Sequence, residues 1–202
     1  MTQQWQKRPD GSNWGEFGED DQRGRMNLLT VKRRLRALDK VKTGMVFCLS
    51  HPLDRPGGTV LNTNRKPPVF HPVKRGELVY FNLAMEKTNP RLTDVGSDEA
   101  IMLYSQYSTH WDALAHKGTL FDANGDGVPE KVSYNGFELV DRSGRGLYGE
   151  LGAVALSVAN MAETSVQGRA VMVDLRHHFG DENVAVTWDM LERVMKIDAV
   201  TV

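Results

Sequence analysis

Residues 105–116 read SQYSTHWDALAH and contain four side chains with metal-binding or proton-transfer chemistry: Gln106, His110, Asp112 and His116. Side chains two residues apart point to the same side of an extended segment, so His110 and Asp112 can converge on one point. Gln106 can join them if the backbone stays extended or turns gently. An imidazole, a carboxylate and an amide oxygen together suit a divalent ion such as Zn²⁺ or Mn²⁺.

Three protein ligands leave coordination positions open for water and substrate, which is typical of a catalytic metal site. His116 can stand beside such an ion without binding it. A histidine that gains and loses a proton near neutral pH is well suited to general acid–base catalysis. The same spacing also fits a polar strand end with satisfied hydrogen bonds, so it leaves both interpretations open.

The stretch resembles the signature His-x-Gly-Thr-His-x-Asp-x-Pro-x-His of the cyclase-like metal-dependent hydrolases, the family of bacterial kynurenine formamidase and isatin hydrolase. Four residues match it at the right spacing: Thr109, His110, Asp112 and His116. Three positions depart from it, with Gln106 at the first His, Ser108 at the Gly and Leu114 at the Pro. The resemblance extends to residues 12–15 (SNWG), 20–24 (DDQRG), 27–30 (NLLT), 134–136 (YNG) and 168–174 (GRAVMVD).

The resemblance implies that Gln106, His110 and Asp112 bind one divalent metal ion, Mn or Zn, and that His116 is the catalytic acid–base residue. It also implies hydrolysis of a C–N amide or lactam bond of a small aromatic substrate by metal-activated water. A neutral amide oxygen holds these ions less firmly than imidazole, so Gln106 predicts a lower affinity or a preference for a harder ion. The alternatives are a metal-assisted cyclase or dehydratase of a polyketide-like substrate, and a degenerate binding protein without turnover.

Three further residues are candidates for substrate contact: Trp14, His71 and Trp111. The two tryptophan rings, with Phe17, could line an aromatic pocket, although such rings are also common in cores and interfaces. His71 lies in the proline-rich stretch 51–76, which we predict to be a loop. A loop of that length often forms a lid or a pocket wall.

Two other motifs have chemical potential. Residues 122–127, DANGDG, open like an EF-hand calcium loop, but Ser133 stands where that loop needs its bidentate glutamate. Glu130 could substitute in a non-standard loop, and a polar turn is the alternative. His177 and His178 follow an apolar run and would lie at the carboxyl end of a strand, where open α/β sheets place ligands. A surface histidine pair is the alternative there.

Segments typical of strands and of helices alternate along the chain, which predicts an α/β fold in a single domain, with mixed sheets and flanking helices. The resemblance implies the swivelling β/β/α fold. We predict strands at residues 45–50, 78–83, 101–107 and 170–175, and helices at 31–42, 148–161 and 188–196. Residues 1–30 are predicted to be an aromatic N-terminal arm, and 31–202 the hydrolase domain. Residues 199–202 resemble a strand without continuation, so we expect the natural chain to extend further.

The composition narrows the class of protein. A formal net charge of -1 argues against a nucleic-acid partner. No window approaches the about 18 apolar residues of a membrane span, and the polar N-terminus lacks a signal peptide. The single cysteine, Cys48, cannot form an internal disulfide. We therefore expect a cytoplasmic protein with a small-molecule substrate, and the resemblance implies a homodimer or homotetramer.

Overall fold

The computed structural model describes residues 5–60, 62–139, 148–149, 152–153, 155–182 and 184–199. It divides the chain into two compact units. Unit 1 consists of Met1–Gly44 and Thr119–Val202, and unit 2 consists of Met45–Gly118. Within the described part, helices and short antiparallel sheets occur together, which confirms the predicted α/β class.

The strands are β1 (Val69–Pro72), β2 (Lys74–Arg75), β3 (Leu78–Val79), β4 (Leu83–Ala84), β5 (Val95–Gly96), β6 (Glu99–Met102), β7 (Thr119–Phe121), β8 (Glu130–Val132), β9 (Tyr148–Gly149) and β10 (Gly152–Ala153). In unit 2, β1 pairs with β6, β2 with β3, and β4 with β5. In unit 1, β7 pairs with β8 and β9 with β10. Each of these sheets has two antiparallel strands.

The α-helices are α1 (Val31–Leu38), α2 (Val158–Ala162), α3 (Leu175–Phe179) and α4 (Trp188–Ile197). The predicted starts of α1 and α4 are confirmed. Thr30 accepts a hydrogen bond from the amide of Arg33 at 3.3 Å, and Thr187 accepts one from Met190 at 3.4 Å. These side chains satisfy amides that have no partner inside the helix, which is why each helix begins there. No helix among the described residues is long and apolar enough to cross a membrane.

Two predicted strands are wrong. Residues 45–50 and 170–174 form no ladder with any described residue, and Leu175 begins α3, where Asp174 accepts a hydrogen bond from His177. The apolar run at 45–50 is also solvent-exposed, with Val46 at 92%. Apolar character favours a strand, but a strand forms only where a neighbour supplies its hydrogen bonds.

Three further predictions need correction. The helix expected over 148–161 is instead the β9–β10 pair followed by α2, whose start is capped by Ser157. The stretch 51–76, predicted to be loop, contains β1 and β2 near its end. The strands predicted at 78–83 and 101–107 are shorter in the structure, and Asn82, between β3 and β4, has a positive φ of 50°.

The core of unit 1 forms around Trp14, Ala123 and Val132. Trp14 is 5% exposed and lies edge-on to Phe121, with ring centroids 6.1 Å apart. Trp5 packs on its other side at 5.9 Å. The aromatic residues of the N-terminal segment therefore contribute directly to this core, and the boundary proposed at residue 30 stays a prediction.

Asn135 is fully buried and connects three points of the N-terminal segment. Its side-chain oxygen accepts from the amide of Gly15 at 2.8 Å. Its side-chain nitrogen donates to the carbonyl oxygens of Gly18 at 2.8 Å and Asp21 at 3.0 Å. The residue also adopts a positive φ of 57°, which Asn tolerates better than most residues.

We expect Asn135→Ala to lower the free energy of unfolding by about 2–4 kcal/mol, because three buried backbone groups lose their partner. Urea denaturation measures this change. Asn13→Ala is the control, since the Asn13 side chain makes no hydrogen bond to any described residue. Equal stability of the two variants would show that these hydrogen bonds do not hold the segment.

Tyr134, beside Asn135, donates its hydroxyl to Asp21 Oδ2 at 3.0 Å. Burial, followed by this hydrogen bond and the nearby negative charge of Asp21, raises the pKa of Tyr134 above its ordinary value of 10.0. The folded state thus retains this proton at a pH where the unfolded chain has lost it.

Linkage gives the direction of the pH effect. The stabilisation from Tyr134 is complete below pH 10.0 and is lost as the pH rises from there toward the raised pKa of the folded state. We expect the stability of the wild type to fall more steeply above pH 10.0 than that of Tyr134→Phe. Denaturation at several alkaline pH values measures the difference, and parallel curves would contradict the role of Tyr134.

Candidate active site

The predicted motif lies in unit 2, in an irregular segment that follows β6 and ends in the 3₁₀ turn Leu114–His116. Three of its residues attach it to the stretch 51–58. Tyr107 donates its hydroxyl to the carbonyl of Gly58 at 2.9 Å, and Ser108 donates to that of Pro52 at 2.8 Å. Thr109 accepts from the amide of His51 at 3.0 Å. These hydrogen bonds hold in place a segment that pairs with no β-strand among the described residues.

The structure brings Gln106, Asp112 and His116 together. Nε2 of Gln106 lies 2.9 Å from Oδ1 of Asp112 and 2.6 Å from Nδ1 of His116. Asp112 and His116 are themselves in direct contact through Oδ1 and Nδ1. Because a carboxylate only accepts, Nδ1 of His116 carries the hydrogen shared with Asp112, and the Gln106 amide donates to the same carboxylate.

The pKa of Asp112 is lowered from its ordinary value. The largest cause is the hydrogen bond from His116, and the donors of Gln106 and of the Ala113 amide add to it. All three stabilise the ionised form of the carboxylate. Asp112 is therefore a carboxylate at neutral pH, and its side chain is half exposed.

Arg65 determines which way the Gln106 amide points. Its guanidinium donates to the backbone oxygen of Gln106 at 2.7 Å and to Oε1 at 2.8 Å. A guanidinium has no acceptor, so it must face the amide oxygen rather than the nitrogen. The NH₂ group of Gln106 consequently faces Asp112 and His116.

His110 is separate from that group. Its Nδ1 lies 2.7 Å from the carbonyl oxygen of Ser108, so Nδ1 carries the hydrogen and Nε2 keeps a lone pair. A histidine that binds metal through one ring nitrogen commonly donates the hydrogen of its other ring nitrogen to a backbone carbonyl. Oδ2 of Asp112 likewise has no hydrogen bond to any described residue.

These contacts test the predicted metal ligands. His110 and Asp112 each keep an unshared lone pair, so each side chain can serve as a metal ligand, and their convergence on one ion stays a prediction. Gln106 does not fit in its present orientation, since its oxygen faces the cation of Arg65. Binding through that oxygen would require the amide to turn, so the ligand role of Gln106 stays a prediction.

A second group could hold a metal ion. Among the described residues, only Asp122, Asp126 and Glu130 form a set of three His, Cys, Asp or Glu side chains whose ligand atoms all lie within 4.8 Å of one another. The sequence had indicated this set through residues 122–127, which resemble the first residues of an EF-hand loop. Glu130 was the residue that could substitute for the glutamate of a standard loop. Lys7 already contacts Asp122 at 2.9 Å, and the amide of Ala123 donates to Glu130 at 2.9 Å.

The remaining predicted residues lie in different environments. His71 lies in β1 opposite Ala100, and its ring is exposed. Trp111 is 64% exposed in unit 2, whereas Trp14 belongs to the core of unit 1, which favours the core interpretation for that ring. Their substrate contacts stay predictions.

His177 and His178 lie in α3 rather than at a strand end, which corrects the expected placement. Nε2 of His178 contacts both carboxylate oxygens of Asp198, at 3.0 and 3.2 Å. The His177 ring lies edge-on to that of His178. This pair connects α3 to the end of α4, so its observed role is structural.

A cavity of about 980 Å³ lies beside the motif in unit 2. Its lining consists of His51, Pro52, Arg55, Pro56, Arg65 and residues 106–110. Five residues of the proline-rich stretch therefore form part of a pocket wall, one of the two roles expected for it: His51, Pro52, Arg55, Pro56 and Arg65. Sequence reasoning missed Arg55 and Arg65, since isolated arginines in a loop carry no motif.

Comparison with known proteins gives the family. A family model described as "Putative cyclase" matches residues 47–202, more than half of the chain. The chain belongs to this cyclase family. A solved structure described as a novel cyclase is similar, with a TM-score of 0.65 and 28% sequence identity. The alignment covers 94% of this chain and 57% of that one, so this chain spans little more than half of its length. No match was found among curated proteins.

We expect Gln106→His to raise the affinity for Mn²⁺ or Zn²⁺ by about tenfold, because an imidazole lone pair replaces an NH₂ donor beside Asp112. Isothermal titration with each ion measures the change. Asn89→His, which adds an exposed histidine elsewhere in unit 2, is the control. An unchanged affinity in Gln106→His would show that position 106 does not take part in metal binding.

Proposed function

We propose that this cyclase-family chain is a metal-dependent hydrolase of a C–N amide or lactam bond in a small aromatic substrate, similar to kynurenine formamidase or isatin hydrolase. The observation that carries the proposal is the hydrogen-bonded pair of Asp112 and His116, which contacts Gln106 in the wall of a cavity of about 980 Å³. The match of Thr109, His110, Asp112 and His116 to the family signature supports it.

In this proposal, His110 and Asp112 would hold one Mn or Zn ion, with Gln106 as the predicted third ligand. A bound ion of this kind acidifies a water molecule and polarises the scissile carbonyl. One carboxylate oxygen of Asp112 would bind the ion, while its other oxygen accepts the hydrogen bond from Nδ1 of His116.

His116 moves the protons. Because Nδ1 is hydrogen-bonded to Asp112, Nε2 is the ring atom with a free lone pair. Nε2 takes a proton from the attacking water and returns one to the leaving nitrogen. The negative charge of Asp112 stabilises the imidazolium that forms between these two transfers, in the way that a carboxylate supports a catalytic histidine elsewhere.

Removal of each residue should have a distinct effect. We expect His110→Ala to lose the metal, and His116→Ala to keep it while turnover falls by about 10²- to 10⁴-fold. Elemental analysis of the purified protein measures the metal. Hydrolysis of N-formylkynurenine and of isatin measures turnover.

The control is His177→Ala, an exposed histidine in α3, which should retain both metal and activity. Retention of metal in His110→Ala would refute the ligand assignment, and full activity in His116→Ala would refute the proton transfer.

The family name and the solved cyclase relative favour a second candidate, cyclisation or dehydration of a polyketide-like substrate by the same residues. Product analysis with a polyketide panel distinguishes it from hydrolysis. A protein that binds no metal and turns over neither substrate class would support a third candidate, a non-catalytic binding protein of the same fold.

We also propose that the chain assembles as a homodimer or homotetramer. The exposure of apolar side chains such as Val46 and Phe47, at 92% and 72%, supports this, because exposed apolar surface is commonly buried in subunit interfaces. Light scattering on the purified protein measures the oligomeric state, and a monomer at micromolar concentration would contradict the proposal.

A further inference from the structure

We propose that the cavity of unit 2 selects a substrate that carries an anionic oxygen group, a carboxylate or phosphate, next to an apolar ring. The inference rests on the proposed function only in treating the occupant as a substrate, and it concerns Arg55 and Arg65 rather than the catalytic pair. It follows from the charge, hydrogen bonding and shape of the lining.

The charges that line the cavity are all of one sign. Arg55 and Arg65 are cationic, and the lining contains no Asp or Glu. Asp54 is next to Arg55 in the chain but does not line the cavity. Since the whole chain has a formal net charge of -1, the positive character belongs to this cavity rather than to the protein in general.

Neither guanidinium is neutralised by a described residue. Arg65 donates to two oxygens of Gln106, which are uncharged and leave its positive charge and its other N–H groups available. The side chain of Arg55 is exposed and makes no hydrogen bond or ion pair within the described part of the chain. An anionic oxygen group is the natural partner, because the guanidinium fork binds carboxylates and phosphates through two parallel hydrogen bonds.

The rest of the lining favours a ring. Pro52, Pro56 and Tyr107 contribute apolar surface to the cavity. The ring of Tyr107 is 7% exposed, and its hydroxyl is held by the carbonyl of Gly58, so this surface is fixed in place. A cavity of about 980 Å³ is in the range that small ligands occupy. The occupant is therefore a small molecule rather than a macromolecule.

Three probes of similar size test the inference: benzoate, phenyl phosphate and the uncharged benzamide. Ligand-observed NMR titration of the purified protein gives each dissociation constant. We expect benzoate or phenyl phosphate to bind more tightly than benzamide, and the tighter anion identifies the group that the cavity prefers. Added salt should weaken the binding of the two anions and leave the binding of benzamide unchanged.

Three variants test whether the preference for anions arises in the cavity. Arg55→Gln should weaken anion binding about threefold to fivefold, as expected for an exposed ion pair, without changing benzamide. Arg55→Lys should keep most of the preference because it retains the charge. Arg91→Gln, which removes an exposed arginine of unit 2 outside the lining, should leave all three probes unchanged.

Equal binding of benzoate, phenyl phosphate and benzamide, or no binding of the anions, would overturn the proposal. An equal loss in Arg55→Gln and Arg91→Gln would also overturn it, because it would indicate a general charge effect. These measurements involve no turnover. A protein that prefers the anions but hydrolyses nothing would refute the proposed function and retain this inference. A protein that hydrolyses its substrate but binds the anions no better than benzamide would refute this inference and retain the proposed function.

Discussion

The contact of Arg65 with Gln106 determines the arrangement of the candidate site. A guanidinium can only donate, so the amide oxygen must face it and the amide nitrogen must face Asp112 and His116. That nitrogen and the His116 ring then both donate to Oδ1 of Asp112. The first position of the motif thereby acts as a donor to Asp112, in a place where the signature that the motif resembles has a histidine.

A comparable constraint organises unit 1. The segments that resemble the family outside the central motif meet there, since Tyr134 and Asn135 bind the stretch around Asp21. Gln22, in the same stretch, accepts from the amide of Leu156 at 2.8 Å and from the side chain of Asn160 at 2.7 Å. These residues make hydrogen bonds to backbone groups and to one another. The resemblance in these segments therefore reflects how the unit is held together.

Local signals in the sequence were good predictors of local structure. Thr30 and Thr187 marked helix starts because a cap needs only residues within one turn. The apolar runs at 45–50 and 170–175 were poor predictors, because a strand depends on a partner that may be anywhere along the chain. The helix expected over 148–161 failed for a local reason, since β9 and β10 pair with each other inside this stretch and leave only its end to α2.

The sequence by itself indicated the cyclase family and the α/β class, because the four matching residues of the motif and the matching segments in the rest of the chain together carry the resemblance. It also named Asp112 and His116 as residues of one site, but their direct contact is seen only in the structure. Only the tertiary structure decided the direction of the Gln106 amide and the charge of the cavity. Both depend on Arg65, which is 41 residues from Gln106 and reaches it only after the chain has folded back on itself.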